Sequence, residues 1–134
     1  MSAVQKTNDS RQARSDATKN ALMRAAEKLI ARCGMENVSI SDIVVAAEQK
    51  NQSALQYHFT NLSGLIDAIL LTRSEQTHNR RAELIQTLLT RSDNPTVREI
   101  CMLMVYPAYS LARENPDYQD YIKAFGHQLM SVSY

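Results

Sequence analysis

The stretch from Val38 to Phe59, VSISDIVVAAEQKNQSALQYHF, leaves a chain few ways to fold. Ser39 is a hydroxyl N-cap, and Asp42 places a carboxylate in the first turn, where the positive end of a helix favours it. Ile40, Ile43, Val44 and Ala47 then fall at spacings of three and four, one apolar stripe on a short helix. Glu48-Gln49-Lys50-Asn51 interrupts the stripe as a polar turn. A second short helix, Gln52 to Phe59, sets Leu55 and Phe59 one turn apart and inward, with Gln52, Ser53, Gln56 and Tyr57 on the opposite face. Amide, hydroxyl and phenol groups presented this way can donate to and accept from base edges and phosphates. The same residues equally suit a solvated surface helix, because many short helix pairs look like this.

The flanking residues extend the pattern. Thr18-Lys19, Leu22, Ala25-Ala26, Leu29-Ile30 and Gly34 mark a helix before the stretch, and Leu65 opens another after it. With Ser39, Asp42-Ile43, Ala46-Ala47 and Asn51 to Phe59, these landmarks resemble, in order and spacing, the DNA-binding domain of the tetracycline-repressor (TetR) family of bacterial transcription regulators. The resemblance covers roughly residues 15–75, with an inter-helix turn one residue longer than usual. It departs from the family at three positions: Leu62 where a basic residue commonly contacts phosphate, Ser63 where an acid is usual, and Glu48 where a glycine is usual. One lost phosphate contact lowers the salt slope of binding by roughly one and weakens all sequences alike.

Charge is unevenly placed. Of 15 Lys and Arg and 14 Asp and Glu in the chain, residues 1–32 hold seven basic and three acidic ones. A basic N-terminal part fits a DNA-facing surface, and also the plain solubility role of many basic tails. The polar N-terminus without an apolar run argues against a secretory signal, and no apolar stretch reaches the length of a membrane span. Cys33 and Cys101 have no CxxC neighbours and read as reduced core thiols of a cytoplasmic protein.

In chain order, residues 1–14 read as a disordered basic arm whose Arg11 and Arg14 either reach DNA or form an inert leader. Thr18 is a candidate N-cap for a helix ending near Arg32, with Gly34 at the left-handed position beyond it. Asn61 caps a long helix to about Thr90, whose middle, Ser74 to Arg81, is polar throughout and marks a change of packing partner. Asn94 caps a helix with Pro95 at its first position and Thr96 and Glu99 in support, and Pro107 should kink that helix before Glu114. Asn115-Pro116 opens a last helix with Tyr118, Tyr121, Ile122, Phe125, Leu129 and Met130. The expected class is all-α: an N-terminal three-helix helix-turn-helix domain (15–75), joined by a long helix to a partial C-terminal helical domain (76–134), a truncated effector and dimerisation region.

Enzyme chemistry finds no footing. His58, His78 and His127 lie far apart without HExxH or Cys/His ligand spacing, and the sequence contains no GxSxG, P-loop or GxGxxG, so neither metal nor cofactor is expected. Asp117 and Asp120 share a helix face as solvated, capping carboxylates. Gln52, Ser53 and Gln56 are the candidates for reading bases, with Lys50 and Asn51 at the helix entrance and Ser39, Ser41, Tyr57 and His58 on the DNA backbone. The resemblance adds Lys19 as a phosphate contact. It also implies a palindromic double-stranded operator, a homodimer, repression, and release by a small hydrophobic effector among Met104, Tyr109, Tyr121 and Phe125, although such side chains at helical spacing equally make a core. The alternative function is a shortened helical protein that pairs with a full-length relative and does not itself bind operator DNA.

Overall fold

The structure, a computed structural model, describes residues 3–130, with side-chain surroundings given for residues 5–127. Every element among them is helical: α1 (Ala3–Cys33), a 3₁₀ turn (Met35–Asn37), α2 (Ile40–Ala46), α3 (Ser53–Phe59), α4 (Leu62–Arg91), α5 (Val97–Glu114) and α6 (Pro116–Met130). No helix among the described residues is long and apolar enough to cross a membrane. The chain forms two compact units, Met1–Ile69 and Leu70–Tyr134, so the division falls within α4, a few residues before the expected 75.

In the first unit, α1 packs against α2 and α3 around Leu22, Ala26, Ile30, Ile43, Leu55 and Phe59, with Leu65 and Ile69 from the start of α4 also buried. The expected arm is helical instead. From Ala3 onward α1 runs without a break through Thr18, which therefore caps nothing. No glycine or proline interrupts residues 3–33, and Gln12 Nε2 donates to Asp16 Oδ1 one turn on at 3.0 Å. At the other end, Gly34 takes φ 82, ψ 150, a region essentially reserved for glycine, while Asn37 Nδ2 donates to the Cys33 carbonyl at 2.8 Å. Cys33 stands exposed, as does Cys101, so neither thiol is the core residue its type suggested: each lies on a side of its helix that the described residues leave open.

The second unit is tied by polar contacts from the segment of α4, Ser74 to Arg81, that the sequence marked as a polar change of packing partner. Thr77 Oγ1 donates to the Arg73 carbonyl at 2.8 Å and so accepts from the buried Tyr118 hydroxyl at 2.7 Å. Arg80 reaches Glu114 through both carboxylate oxygens, at 3.2 and 2.7 Å, and Ser110 Oγ at 3.0 Å. Pro107 has no N–H for the Leu103 carbonyl one turn earlier, and Arg81 Nε donates to that oxygen instead, at 3.0 Å.

The start of α5 differs from expectation by two residues. Thr96, not Asn94, is the N-cap, because its hydroxyl accepts from the Glu99 N–H while the Glu99 carboxylate takes the Thr96 N–H, a reciprocal pair that Asn94-Pro95 cannot make. Asn115 ends α5 and caps α6, its Oδ1 accepting from Asp117 N at 2.9 Å ahead of Pro116 in the first turn. Tyr118, Tyr121, Ala124 and Phe125 form the buried side of α6, and the side chains of Leu129 and Met130 lie outside the described residues.

Candidate nucleic-acid interface

Two local devices set α3. At the end of α2, Gln49 N–H bonds the Val44 carbonyl and Glu48 N–H the Val45 carbonyl, both at 3.0 Å. That is a Schellman closure, and it leaves Glu48 at φ 56 where glycine is normally preferred. The next turn is closed by Asn51, whose Oδ1 accepts from the Ser53 N–H at 3.0 Å and from the Ser53 hydroxyl. Gln52 is nominally the N-cap of α3 but makes no capping bond with its side chain. Its Nε2 donates instead to Ser41 Oγ on α2, at 2.7 Å.

After α3 the chain turns within three residues. Thr60 sits at φ 71, ψ −51, and the Asn61 N–H returns to the Phe59 carbonyl at 2.8 Å, a γ-turn of the rarer hand. Asn61 Oδ1 then accepts from Gly64 N at 2.8 Å and starts α4. A Cβ on Gly64 would lie 2.0 Å from the Phe59 carbonyl oxygen, so no side chain fits there.

The result is a two-sided helix. Leu55 and Phe59 are buried, while Gln52, Ser53, Gln56 and Tyr57 are exposed, Tyr57 at 83%. His58 is half-buried, edge-on to the Tyr57 ring at 4.9 Å. Lys50 and Asn51 are exposed at the entrance to α3, and Ser41 faces solvent with its hydroxyl held by Gln52. Ser39 is spent on capping: its hydroxyl donates to Asp42 Oδ2 at 2.7 Å and accepts from Asp42 N at 3.1 Å. The Ser39 hydroxyl, and the Ser39 N–H that also donates to Asp42 Oδ2 at 2.9 Å, hold the Asp42 carboxyl below its ordinary range. Lys19 is half-buried on α1, and no hydrogen bond places it beside α3.

What the sequence reading did not assemble is the groove between α1 and α3. Arg11, Arg14, Ser15 and Thr18 face Tyr57 and His58 across a polar cleft of about 640 Å³. The clue was the absence of glycine and proline before Thr18, which lets one helix carry Arg11 and Arg14 at fixed positions.

The residues named for an effector pocket do not come together. Tyr121 and Phe125 are core, while Met104 and Tyr109 are exposed at 74% and 53%. Among the described residues the second unit instead has a groove of about 380 Å³ between the end of α4 and the start of α5, lined by Leu84, Leu88, Met102, Leu103 and Tyr106 with Arg91 and Arg98. Among the described residues no group of three metal-binding side chains forms. No family model matches the chain, and no curated protein or solved structure matches it.

Proposed function

We propose that this chain is a sequence-specific DNA-binding transcription regulator of the TetR type, acting as a cytoplasmic repressor. The observation that carries the reading is α3: four polar side chains, Gln52, Ser53, Gln56 and Tyr57, stand on its open face while Leu55 and Phe59 anchor the other. In this reading α2 and α3 form a helix-turn-helix, and the amides of Gln52 and Gln56 and the hydroxyl of Ser53 reach base edges in the major groove. Lys50, Asn51, Ser41, Tyr57 and His58 hold the DNA backbone, joined by Arg11 and Arg14 across the polar cleft and by Lys19. Ser39 contributes mainly by fixing α2.

Two chains on a palindromic duplex supply the two half-sites one helical turn apart that such regulators read. The groove at Leu84, Leu88 and Met102 is the seat for a small hydrophobic effector, in place of Met104, Tyr109, Tyr121 and Phe125. Coupling of effector to DNA, typically ~1–3 kcal/mol, would pass along α4, a single helix with residues in both units. Selection of a random duplex library with the purified chain should enrich one palindromic motif, bound by two chains per duplex. No enrichment, with equal affinity for every duplex, overturns the reading.

A second reading, a helical protein that pairs with a relative and leaves DNA alone, is favoured by one observation: the outward face of α5 is apolar. The same selection separates the two.

A further inference from the structure

We infer that the groove between the end of α4 and the start of α5 takes a free medium-chain carboxylate, its headgroup at Arg98 and Arg91 and its alkyl chain along the apolar floor. The inference rests on the reading of this groove as the effector seat, and names the chemistry of what it holds. Polarity is divided along the groove. Arg91 meets Glu99 near the loop that joins the two helices, and Arg81 meets the Leu103 carbonyl further in, so α4 and α5 run antiparallel. Arg91, Arg98 and Glu99 therefore line the loop end, while Leu84, Leu103 and Tyr106 line the inner end.

Charge at the loop end is left unbalanced. Glu99, the one carboxylate in the lining, is largely committed to its cap: it accepts from the Thr96 N–H at 2.8 Å and from the Thr96 hydroxyl at 2.9 Å. Its hold on Arg91 is a single contact of 3.4 Å. Arg98 forms no hydrogen bond or ion pair among the described residues. It also stands in the first turn of α5, where the positive helix end disfavours a cation. Two guanidiniums less one carboxylate leave one positive charge, which suits a monoanion. The guanidinium fork matches the two oxygens of a carboxylate.

Length then sets the tail. Leu84 to Arg91 on α4 and Arg98 to Tyr106 on α5 each span roughly 10–12 Å at ~1.5 Å per residue. An extended chain advances ~1.1–1.2 Å per bond, so about eight to ten bonds fill the groove. Its volume of about 380 Å³ lies at the small end of the ~300–1,000 Å³ usual for small-molecule sites.

Calorimetric titration of the full chain without DNA tests it, using hexanoate, octanoate, decanoate and tetradecanoate below their micelle-forming concentrations. Affinity should rise about two- to fourfold per added CH₂ up to decanoate and then level off. Decanoate should bind about tenfold tighter than decanol, the gain from a charge-assisted hydrogen bond. Arg98→Gln should remove that preference and leave decanol binding unchanged. Met102→Glu, which puts a carboxylate into the groove lining, should abolish binding of both with unchanged circular dichroism. Met104→Glu, exposed on α5 and outside the lining, should leave both intact. Decanol that binds as tightly as decanoate, or a preference that survives Arg98→Gln, overturns the carboxylate assignment while the groove stands as a seat for a neutral effector. Binding of neither overturns the proposal and the effector seat together. Loss in Met104→Glu, or no levelling beyond decanoate, overturns it in favour of open adsorption on α5. Because DNA is absent, every outcome leaves the duplex selection to judge the operator reading separately.

Discussion

Gln52 on α3 donates its side-chain N–H to the hydroxyl of Ser41 on α2 across 2.7 Å, joining two exposed residues eleven positions apart. The bond fixes one amide of the candidate reading face before any ligand arrives, and leaves the carbonyl oxygen of Gln52 free to accept. Gln56 has no such tether. On a selected duplex, Gln56→Ala should cost ~1–3 kcal/mol and relax preference at one base pair. Ser41→Ala should give a smaller loss spread over several positions, because it loosens Gln52 without removing it. Lys19→Ala should weaken all sequences alike and lower the salt slope by about one. Fluorescence anisotropy against matched and scrambled duplexes at several salt concentrations reads all three; equal loss on both duplexes would remove Gln56 from the base-reading set.

Glu48 occupies the left-handed position of a Schellman closure with a Cβ that glycine would not carry. Glu48→Gly should therefore raise unfolding stability by ~0.5–1 kcal/mol, the relief of strain outweighing the extra freedom of the unfolded chain. A chemical-denaturation midpoint that falls would show that the strain at this φ is absorbed elsewhere.

Gly64 sits against the Phe59 carbonyl with no room for a methyl group. Gly64→Ala should force the γ-turn open at Thr60 and cost ~2–4 kcal/mol despite the better helix propensity of alanine. Thermal unfolding followed by circular dichroism checks the direction; a neutral or stabilising outcome contradicts the geometry of this corner.

Arg81 and Pro107 should be coupled, although they do not bond to one another. Arg81→Ala leaves the Leu103 carbonyl without its donor, a loss of ~1–2 kcal/mol. With Pro107→Ala the restored N–H can take that carbonyl, so Arg81→Ala should cost less in that background. A double-mutant cycle should give a coupling of about 1 kcal/mol, and strict additivity would mean that the guanidinium does not substitute for the missing amide.

Acid should loosen both units through their caps. Hydrogen bonds from Ser39 hold the Asp42 carboxyl below its ordinary 3.8, and those from Thr96 hold Glu99 below its ordinary 4.5. A carboxyl depressed in the folded state contributes stability that is complete above the unfolded value and lost as pH falls through the folded one. Denaturation midpoints should thus be level near neutrality and decline below about pH 4. Asp42→Asn and Glu99→Gln should each flatten part of that decline.

Much of the fold was legible along the chain because its signals are local. The Ser39–Asp42 pair, the apolar spacing of Ile43 and Ala47, Asn61 before α4 and Asn115-Pro116 before α6 each act within one helical turn, so a short window of letters contains both partners. Where two local signals competed, at Asn94-Pro95 and Thr96, the reciprocal bond with Glu99 decided the start of α5. The open side of α3 followed the same logic, since Leu55 and Phe59 could be told from Gln52, Ser53, Gln56 and Tyr57 by spacing alone.

Only the tertiary structure decided which stripes are covered. Periodicity identifies an apolar side of α5, but whether that side faces α4 or the outside depends on what Arg80, Arg81 and Thr77 hold in place across the unit. The same limit applied to Cys33 and Cys101, to the scattered effector candidates, and to the cleft that brings Arg11 and Arg14 beside Tyr57 and His58. Helix caps are settled between neighbours in sequence; burial is settled between residues that sequence separation says nothing about.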